Sequence, residues 1–184
     1  CLDKFNGMFS FVIYDTKLDE VFAARDRYGI KPFYYYKDEE KFIYASEIKS
    51  ILPFIKREPN YKIIYDYLMF NRTDHCEETF FLGVQKMQHG AFLKIKNNDL
   101  NFNKWYNLSD KIVEDKFMSP EKYRALFNDS IKLRLRSDVP VGVSLSGGID
   151  SSAITSVLLK DFKMDGLNTF SAVYGSDEPT DESE

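Results

Sequence analysis

The first part of the chain alternates short apolar runs with polar turns, at a spacing typical of β-strands. Aromatic and β-branched residues fill 9–14 and 20–24, on either side of a polar turn at 15–19. Two more runs of this kind follow, at 33–36 and 42–45. Strands joined by turns without intervening helices predict an antiparallel meander in a sandwich.

The middle of the chain mixes helical and strand patterns. Apolar residues at helical spacing predict a short amphipathic helix over 61–70. Beyond it, 91–95 and the segment around Trp105 have the pattern of strands. The polar stretch 107–118 is the best candidate for a linker.

A different architecture begins at Ser119. This residue is suited to an N-cap, Pro120 to the first helical position and Glu121 to the first turn. The predicted buried stripe of this helix is Tyr123, Leu126, Phe127, Ile131 and Leu135. A buried strand, a second helix and a second strand are then predicted over 139–145, 150–162 and 169–174. Strand, helix, strand in that order is a βαβ unit and predicts a parallel sheet.

Composition narrows the class of protein. The chain has 184 residues, of which 43% are hydrophobic and 29% charged, and this excludes a disordered or low-complexity polymer. The net charge of −4 argues against nucleic acid as the main partner. The apolar runs fall far short of the roughly 18–20 residues that a membrane span needs. Two cysteines, Cys1 and Cys76, favour a reducing compartment. We therefore expect a cytoplasmic globular protein without nucleic-acid or membrane partners.

The most informative string is Ser-Gly-Gly-Ile-Asp-Ser-Ser at 146–152, between a predicted strand and a predicted helix. Gly147 and Gly148 allow the backbone to approach a ligand closely, and the first N–H groups of the helix then point outward. Asp150 can hold a Mg²⁺ ion that bridges phosphate oxygens. Hydroxyl donors come from Ser146, Ser151 and Ser152. The string predicts a cradle for a di- or triphosphate, and the alternative is a capped helix after a glycine turn.

This string differs from the commonest phosphate-binding motifs. No Lys follows its glycines, as G-x-x-x-x-G-K-[ST] requires, and it is not G-x-G-x-x-G. It resembles instead the S-G-G-x-D-S loop of the ATP-pyrophosphatase family, whose members adenylate a substrate and release pyrophosphate.

Three strings in the first region resemble the glutaminase domain of class II glutamine amidotransferases. They are G-M-F-S-F at 7–11, A-R-D-R-Y-G-I-K-P-F-Y-Y at 24–35 and Y-A-S-E-I-K at 44–49. The second contains an R-D-x-x-G-x-x-P turn, which on its residues alone is a hairpin turn that Gly29 permits and Pro32 directs. We expect Asp26 and Arg27 to hold this loop rather than to perform chemistry.

Amidotransferase strands followed by D-V-P-V-G-V-S-L-S-G-G-I-D-S-S at 138–152 are similar to the glutamine-hydrolysing asparagine synthetases. Strings at 78–84 and 170–175 fit the same family. The resemblance implies an α+β glutaminase sandwich portion over 1–106, a linker over 107–118, and the start of an α/β parallel-sheet ATP-pyrophosphatase domain over 119–184.

The resemblance also implies a reaction. The family is a group of ligases that make asparagine from aspartate, Mg·ATP and the amide nitrogen of glutamine, through β-aspartyl-AMP. The resemblance leaves open whether the protein is a homodimer. In the family, the positions of Leu145 and Val173 lie beside adenine and ribose, and the position of Asp150 is the Mg²⁺ ligand. The residues that match the family's ATP and pyrophosphate site are Leu145, Ser146, Gly147, Gly148, Asp150, Ser151, Ser152 and Val173.

Cys1 is not expected to be the glutaminase nucleophile. The family uses an N-terminal Cys well upstream of the G-M-F strand, whereas Cys1 precedes Gly7 by six positions. We therefore expect an internal fragment that is inactive on its own. Two alternatives remain open: a related enzyme that acts on another carboxylate, as in β-lactam ring closure or sugar amidation, and a non-catalytic protein that retains the glutaminase fold.

Overall fold

The computed structural model describes residues 1–97, 99–112 and 119–173. The chain divides into two compact units, Cys1–Val113 and Glu114–Glu184. None of the helices in the described residues combines the length and the apolar character that crossing a bilayer requires.

The described part of the first unit contains two antiparallel sheets and one α-helix. Its elements are β1 (Ser10–Asp15), β2 (Glu20–Arg25), β3 (Tyr34–Lys37), β4 (Phe42–Ala45), α1 (Tyr61–Phe70), β5 (Val84–Lys86), β6 (Ala91–Lys96) and β7 (Asp99–Lys104). One sheet has the order β1-β2-β6-β7 and the other β4-β3-β5. Four short 3₁₀ segments accompany them: Leu2–Lys4, Ile48–Ser50, Leu52–Phe54 and Leu108–Lys111. The antiparallel α+β architecture predicted for this region is confirmed.

The strand order corrects the predicted meander. β2 pairs with β6 rather than with β3, so the hairpins β1–β2 and β3–β4 lie in different sheets. The chain crosses from one sheet to the other between β2 and β3, through the R-D-x-x-G-x-x-P segment. That segment is therefore a connection between sheets and not a hairpin turn.

The core of the first unit lies between its two sheets. Ala23 of β2 is paired with Leu93 of β6, and both are fully buried. Opposite them pack Phe33 and Tyr35 from the β3 region and Met87 from the end of β5. The facing apolar sides of the two sheets thus stabilise each other, as in a sandwich.

The connection between β2 and β3 is built around one carboxylate. Asp26, only 2% exposed, accepts hydrogen bonds from the backbone N–H groups of Phe9 (3.3 Å), Tyr28 (3.1 Å), Ile30 (3.0 Å) and Lys31 (3.0 Å). Burial alone would raise the pKa of Asp26, but the four N–H donors outweigh it and hold the pKa below its ordinary value. The prediction that Asp26 holds the loop is confirmed.

Arg27 ties the start of the chain to the end of β7. Its guanidinium donates to the backbone carbonyls of Asp3 (3.1 Å) and Phe5. The same group lies 5.0 Å from the ring centre of Trp105 and 5.5 Å from that of Tyr106, within cation–π distance. Arg27 therefore has a structural role, as the sequence predicts, but its side chain holds the start of the chain rather than its own loop.

The second unit contains a strand–helix–strand element. Its described elements are α2 (Pro120–Arg134), β8 (Gly142–Ser144), α3 (Ile149–Lys160) and β9 (Asn168–Phe170). The Ser119 hydroxyl caps α2 by accepting a hydrogen bond from the Lys122 N–H at 3.3 Å. β8 and β9 pair in parallel with α3 between them in sequence, which confirms the predicted βαβ order.

Two predictions about burial in this unit are wrong. The strand predicted over 139–145 is shorter and more exposed than expected. Pro140 has no N–H to donate to a neighbouring strand, and Val139 donates its N–H to the Ser137 hydroxyl and is 68% exposed. In the predicted buried stripe of α2, Ile131 is buried, but Tyr123 and Leu126 are 61% and 59% exposed. Among the described elements α2 packs against α3, which covers only part of that stripe.

Candidate functional site

The candidate site is the loop between β8 and α3, which opens with Leu145 and reaches the first turn of the helix. Leu145 donates its backbone N–H to the Phe170 carbonyl of β9 at 2.8 Å. Its own carbonyl accepts a hydrogen bond from the Ser171 hydroxyl at 2.6 Å. The loop therefore starts from a point that both parallel strands hold in place.

Two serine side chains fold the loop back onto itself. The Ser151 hydroxyl accepts from the Ser146 N–H at 3.3 Å and donates to the Gly148 carbonyl at 3.1 Å. The two serine hydroxyl oxygens are 3.1 Å apart, and the Ser146 hydroxyl also accepts from the Gly148 N–H at 3.4 Å. Ser146 and Ser151 thus shape the loop through contacts within it.

The glycines give the loop its turn and leave the helix N-terminus open. Gly147 has a φ of +87°, in the left-handed region that favours glycine. Gly148 is the N-cap residue of α3, and it has no side chain to bond the first helical N–H groups. Ile149, the first residue of the helix, is 88% exposed. Backbone donors and the positive end of the helix dipole therefore lie beside a solvent-exposed loop, as an oxyanion site requires.

Asp150 is the acidic residue in the first turn of α3, and it is exposed. Within the described residues it forms no hydrogen bond or ion pair, and no group of three or more His, Cys, Asp or Glu side chains could hold a metal ion. A single carboxylate beside open backbone N–H donors nevertheless suits Mg²⁺, because this ion is commonly held by one or two carboxylates and by the oxygens of a bound phosphate. The donor set fits Mg²⁺ delivered with a nucleotide rather than a preformed protein cage.

The remaining predicted residues lie at the edges of the site. Ser152 is exposed and donates its N–H to the Gly148 carbonyl at 3.1 Å. Val173 is 69% exposed and lies beyond β9, which ends at Phe170. The strand predicted over 169–174 is therefore too long at its end, and Tyr174 lies outside the described residues.

Two hydroxyls that support the loop were not predicted. Ser171 anchors the Leu145 carbonyl, and this contact depends on the register of β8 against β9, which sequence does not reveal. Thr155 donates its hydroxyl to the Ser151 carbonyl at 2.8 Å. The spacing of four residues between Thr155 and Ser151 was a usable signal, since a helical Ser or Thr often bonds the carbonyl one turn earlier.

The comparisons with known families match the two parts of the chain separately. Residues 1–106 match the family described as "Glutamine amidotransferase domain". Residues 122–184 match the family described as "Asparagine synthase", and this segment contains the whole 146–152 loop. The chain belongs to the glutamine amidotransferase domain family. The resemblance to glutamine-hydrolysing asparagine synthetases that its motifs predict is confirmed.

Curated relatives of this amidotransferase chain match it over most of its length. One, "asparagine synthetase [glutamine-hydrolyzing] 3" of Bacillus subtilis strain 168, is 36% identical over 180 residues, which cover 95% of this chain and 29% of that protein. "Putative asparagine synthetase [glutamine-hydrolyzing] 2" of Methanocaldococcus jannaschii is 36% identical over 177 residues, 93% of this chain and 34% of that protein. "Amidase chry2" of Gibberella zeae is 36% identical over 163 residues, 85% of this chain and 24% of that protein. The chain thus spans about a third or less of the length of these relatives.

Proposed function

We propose that this chain is part of a glutamine-dependent asparagine synthetase, a cytoplasmic ligase that amidates aspartate at the expense of ATP. The observation that carries the proposal is the order of its parts. An amidotransferase domain is followed by an exposed Ser-Gly-Gly-Ile-Asp-Ser-Ser loop, which leads from a parallel strand into a helix N-terminus. Such a loop suits the release of pyrophosphate, for which a glutaminase alone has no use.

The first step joins aspartate to AMP. An oxygen of the aspartate side-chain carboxylate attacks the α-phosphorus of ATP, and the bond from that phosphorus to the β-phosphate oxygen breaks. The electron pair of this bond leaves with pyrophosphate, and β-aspartyl-AMP remains. Negative charge grows on the departing group, so preorganised N–H donors at the start of α3 accelerate this step.

Each loop residue has a role in that step. Gly147 and Gly148 let the backbone approach the phosphates without a Cβ in the way. Asp150 would hold Mg²⁺, which neutralises charge on the phosphate oxygens when it is bound. The other members of the proposed nucleotide site are Leu145, Ser146, Ser151, Ser152 and Val173.

The second step consumes ammonia from glutamine. Hydrolysis of the glutamine amide releases ammonia, whose nitrogen attacks the acyl carbon of β-aspartyl-AMP. The bond from that carbon to the AMP oxygen breaks, AMP leaves, and asparagine remains after a proton is lost. Cys1, an exposed residue that begins the Leu2–Lys4 turn, is not assigned to this hydrolysis.

A second candidate function changes only the acceptor. One relative is named an amidase, and it is as similar to this chain, at 36% identity, as the two synthetases above. This similarity supports another carboxylate as an alternative substrate. The loop handles the phosphates in either case, so its geometry does not distinguish the two acceptors.

Pyrophosphate release by the complete protein tests the proposal. With Mg·ATP and glutamine present, we expect aspartate to drive release, and we expect glutamate and other small carboxylates to drive little. Release that depends on another carboxylate and not on aspartate would favour the second function. No release with any carboxylate, in protein that still hydrolyses glutamine, would support a non-catalytic second unit.

A further inference from the structure

A small polar pocket lies within the first unit, away in sequence from the 146–152 loop. It has a volume of about 270 Å³ and is formed by the β2–β3 connection and by the segment between β5 and β6. Its titratable lining residues are Arg25, Asp74, Lys86 and His89, together with the phenols of Tyr28 and Tyr34. Cations thus outnumber carboxylates in the described lining of the pocket.

Arg25 places a buried positive charge in the pocket wall. The residue is 7% exposed, and its guanidinium donates to the carbonyls of Lys31 (2.7 Å), Gly29 (2.6 Å) and Met87. All three partners are neutral, and no carboxylate of the described residues lies within ion-pair distance of this group. A guanidinium has five N–H donors, so the three carbonyls leave some of its capacity unused. Burial lowers the pKa of Arg25, as expected for a cation that has lost water.

The same lining contains a second cation and a weakly held anion. The Lys86 side chain is only 13% exposed, and its ammonium pairs with the carboxylate of Asp74. The Asp74 side chain is 75% exposed, so water competes strongly for its carboxylate. An external anion can therefore replace Asp74 at Lys86 with little loss. His89 is exposed and belongs to the same lining, so its ring can report on an ion bound there.

The pocket is rigid because the β2–β3 connection is tightly packed. Gly29, at φ +66°, is so close to its neighbours that a Cβ there would lie 3.1 Å from the Arg25 guanidinium carbon and 3.1 Å from the His89 Cβ. Asp26 fixes the same connection through its four N–H contacts. The guanidinium is thus held in position before any ligand arrives, which lowers the entropic cost of binding.

We propose that this pocket binds a small oxyanion, carrying a carboxylate or phosphate group, between Arg25 and Lys86. Asp74 acts as an internal competitor for Lys86. The volume lies below the range of about 300–1,000 Å³ typical of drug-sized ligand sites, so the ligand is a small ion and not a nucleotide. The inference does not depend on the proposed ligase function.

Histidine NMR tests this site directly. The chain has two histidines, and His75, whose ring Nε2 is 3.1 Å from the Asp66 carboxylate, does not line the pocket. The full chain with labelled histidine is titrated at constant ionic strength with inorganic phosphate, with malonate and with chloride. We expect saturable shifts of the His89 signals with phosphate or malonate, and constant His75 signals.

Two substitutions at the same ion pair are expected to act in opposite directions. Lys86→Met removes a ligand of the anion and weakens binding roughly tenfold, the effect of one charge-assisted hydrogen bond. Asp74→Asn removes the competitor and tightens binding about threefold, as expected for an ion pair whose carboxylate is exposed to water. The native fluorescence of Trp105 verifies that each variant is folded.

Three results would overturn the proposal. The first is a His89 signal that does not saturate with either anion. The second is a parallel shift of both histidines, which indicates a general salt effect. The third is a change of affinity in the same direction for both substitutions in folded protein. Failure of aspartate-dependent pyrophosphate release would leave all of these readouts unchanged, so the two proposals fail independently.

Discussion

At the scale of single residues, Asp26 and Asp150 show two different uses of a carboxylate. Asp26 is buried and saturated by backbone N–H groups, so it holds a connection between two sheets. Asp150 is exposed and has no partner among the described residues, so it is available to a ligand. Sequence assigned the first role correctly, because an Asp followed by Gly and Pro is typical of a turn. It could not reveal that the partners of Asp26 include Phe9, which is distant in sequence.

Replacing Asp26 by Asn should destabilise the first unit. The amide group brings N–H donors toward backbone N–H groups that the carboxylate had accepted, so we expect the free energy of unfolding to fall by about 2–4 kcal/mol. Urea unfolding followed by Trp105 fluorescence measures this, since that single tryptophan donates its ring N–H to the Arg25 carbonyl beside Asp26. Asp38→Asn is a matched control, because the Asp38 carboxylate accepts the Glu40 and Lys41 N–H groups in an exposed turn. A loss as large in the control as in Asp26→Asn would contradict the special role of Asp26.

Acid should remove the contribution of the Asp26 carboxylate to the stability of the first unit. Its folded pKa lies below its ordinary value, so the unfolded chain takes up the proton first as the pH falls. The stabilisation is therefore complete above about pH 4 and is lost as the pH falls through the folded pKa. The gap between the unfolding midpoints of the wild type and Asp26→Asn should narrow below pH 4. A gap that stays constant down to pH 3 would count against this assignment.

At the scale of elements, the sequence pattern was sufficient to predict those helices and strands that depend mainly on neighbouring residues. The predicted bounds of α1 and β4 match the structure, because helical spacing and an isolated aromatic run are local signals. β5 was missed because a strand of three residues is too short to show alternation. The pairing of β2 with β6 could not be predicted, since it joins segments that are about 70 residues apart. The shape of the 146–152 loop was predicted from its glycines, but the serine contacts within it were not.

Arg27 should stabilise the contact between the start of the chain and the residues that follow β7, which are far apart in sequence. Arg27→Ala removes two hydrogen bonds to carbonyls and the contacts with Trp105 and Tyr106, so we expect a loss of about 1–2 kcal/mol. Hydrogen exchange should accelerate at the N–H groups of Lys4 and Phe5, which bond within the 3₁₀ turn that Arg27 holds. The control is Arg57→Ala, because Arg57 is exposed and forms no hydrogen bond or ion pair among the described residues. Equal exchange in the two variants would show that Arg27 does not anchor this segment.

At the scale of the whole molecule, the proposed function places two chemistries in two units. Under that proposal, the unit that matches over 1–106 releases ammonia and the unit that matches over 122–184 activates a carboxylate. Among the described residues the first unit has two hydrogen-bonded sheets, and the second unit has one of its own. A defect confined to the 146–152 loop should therefore affect one chemistry and spare the other.

The most direct measurement compares the two activities in the complete protein carrying Asp150→Ala. Aspartate-dependent pyrophosphate release should fall by about 100-fold or more, the scale seen when a charge-stabilising group is removed from an active site. Glutamine hydrolysis, measured in the same preparation, should remain largely intact. Unchanged pyrophosphate release, or an equal loss of both activities, would contradict the assignment of the loop as the pyrophosphate site.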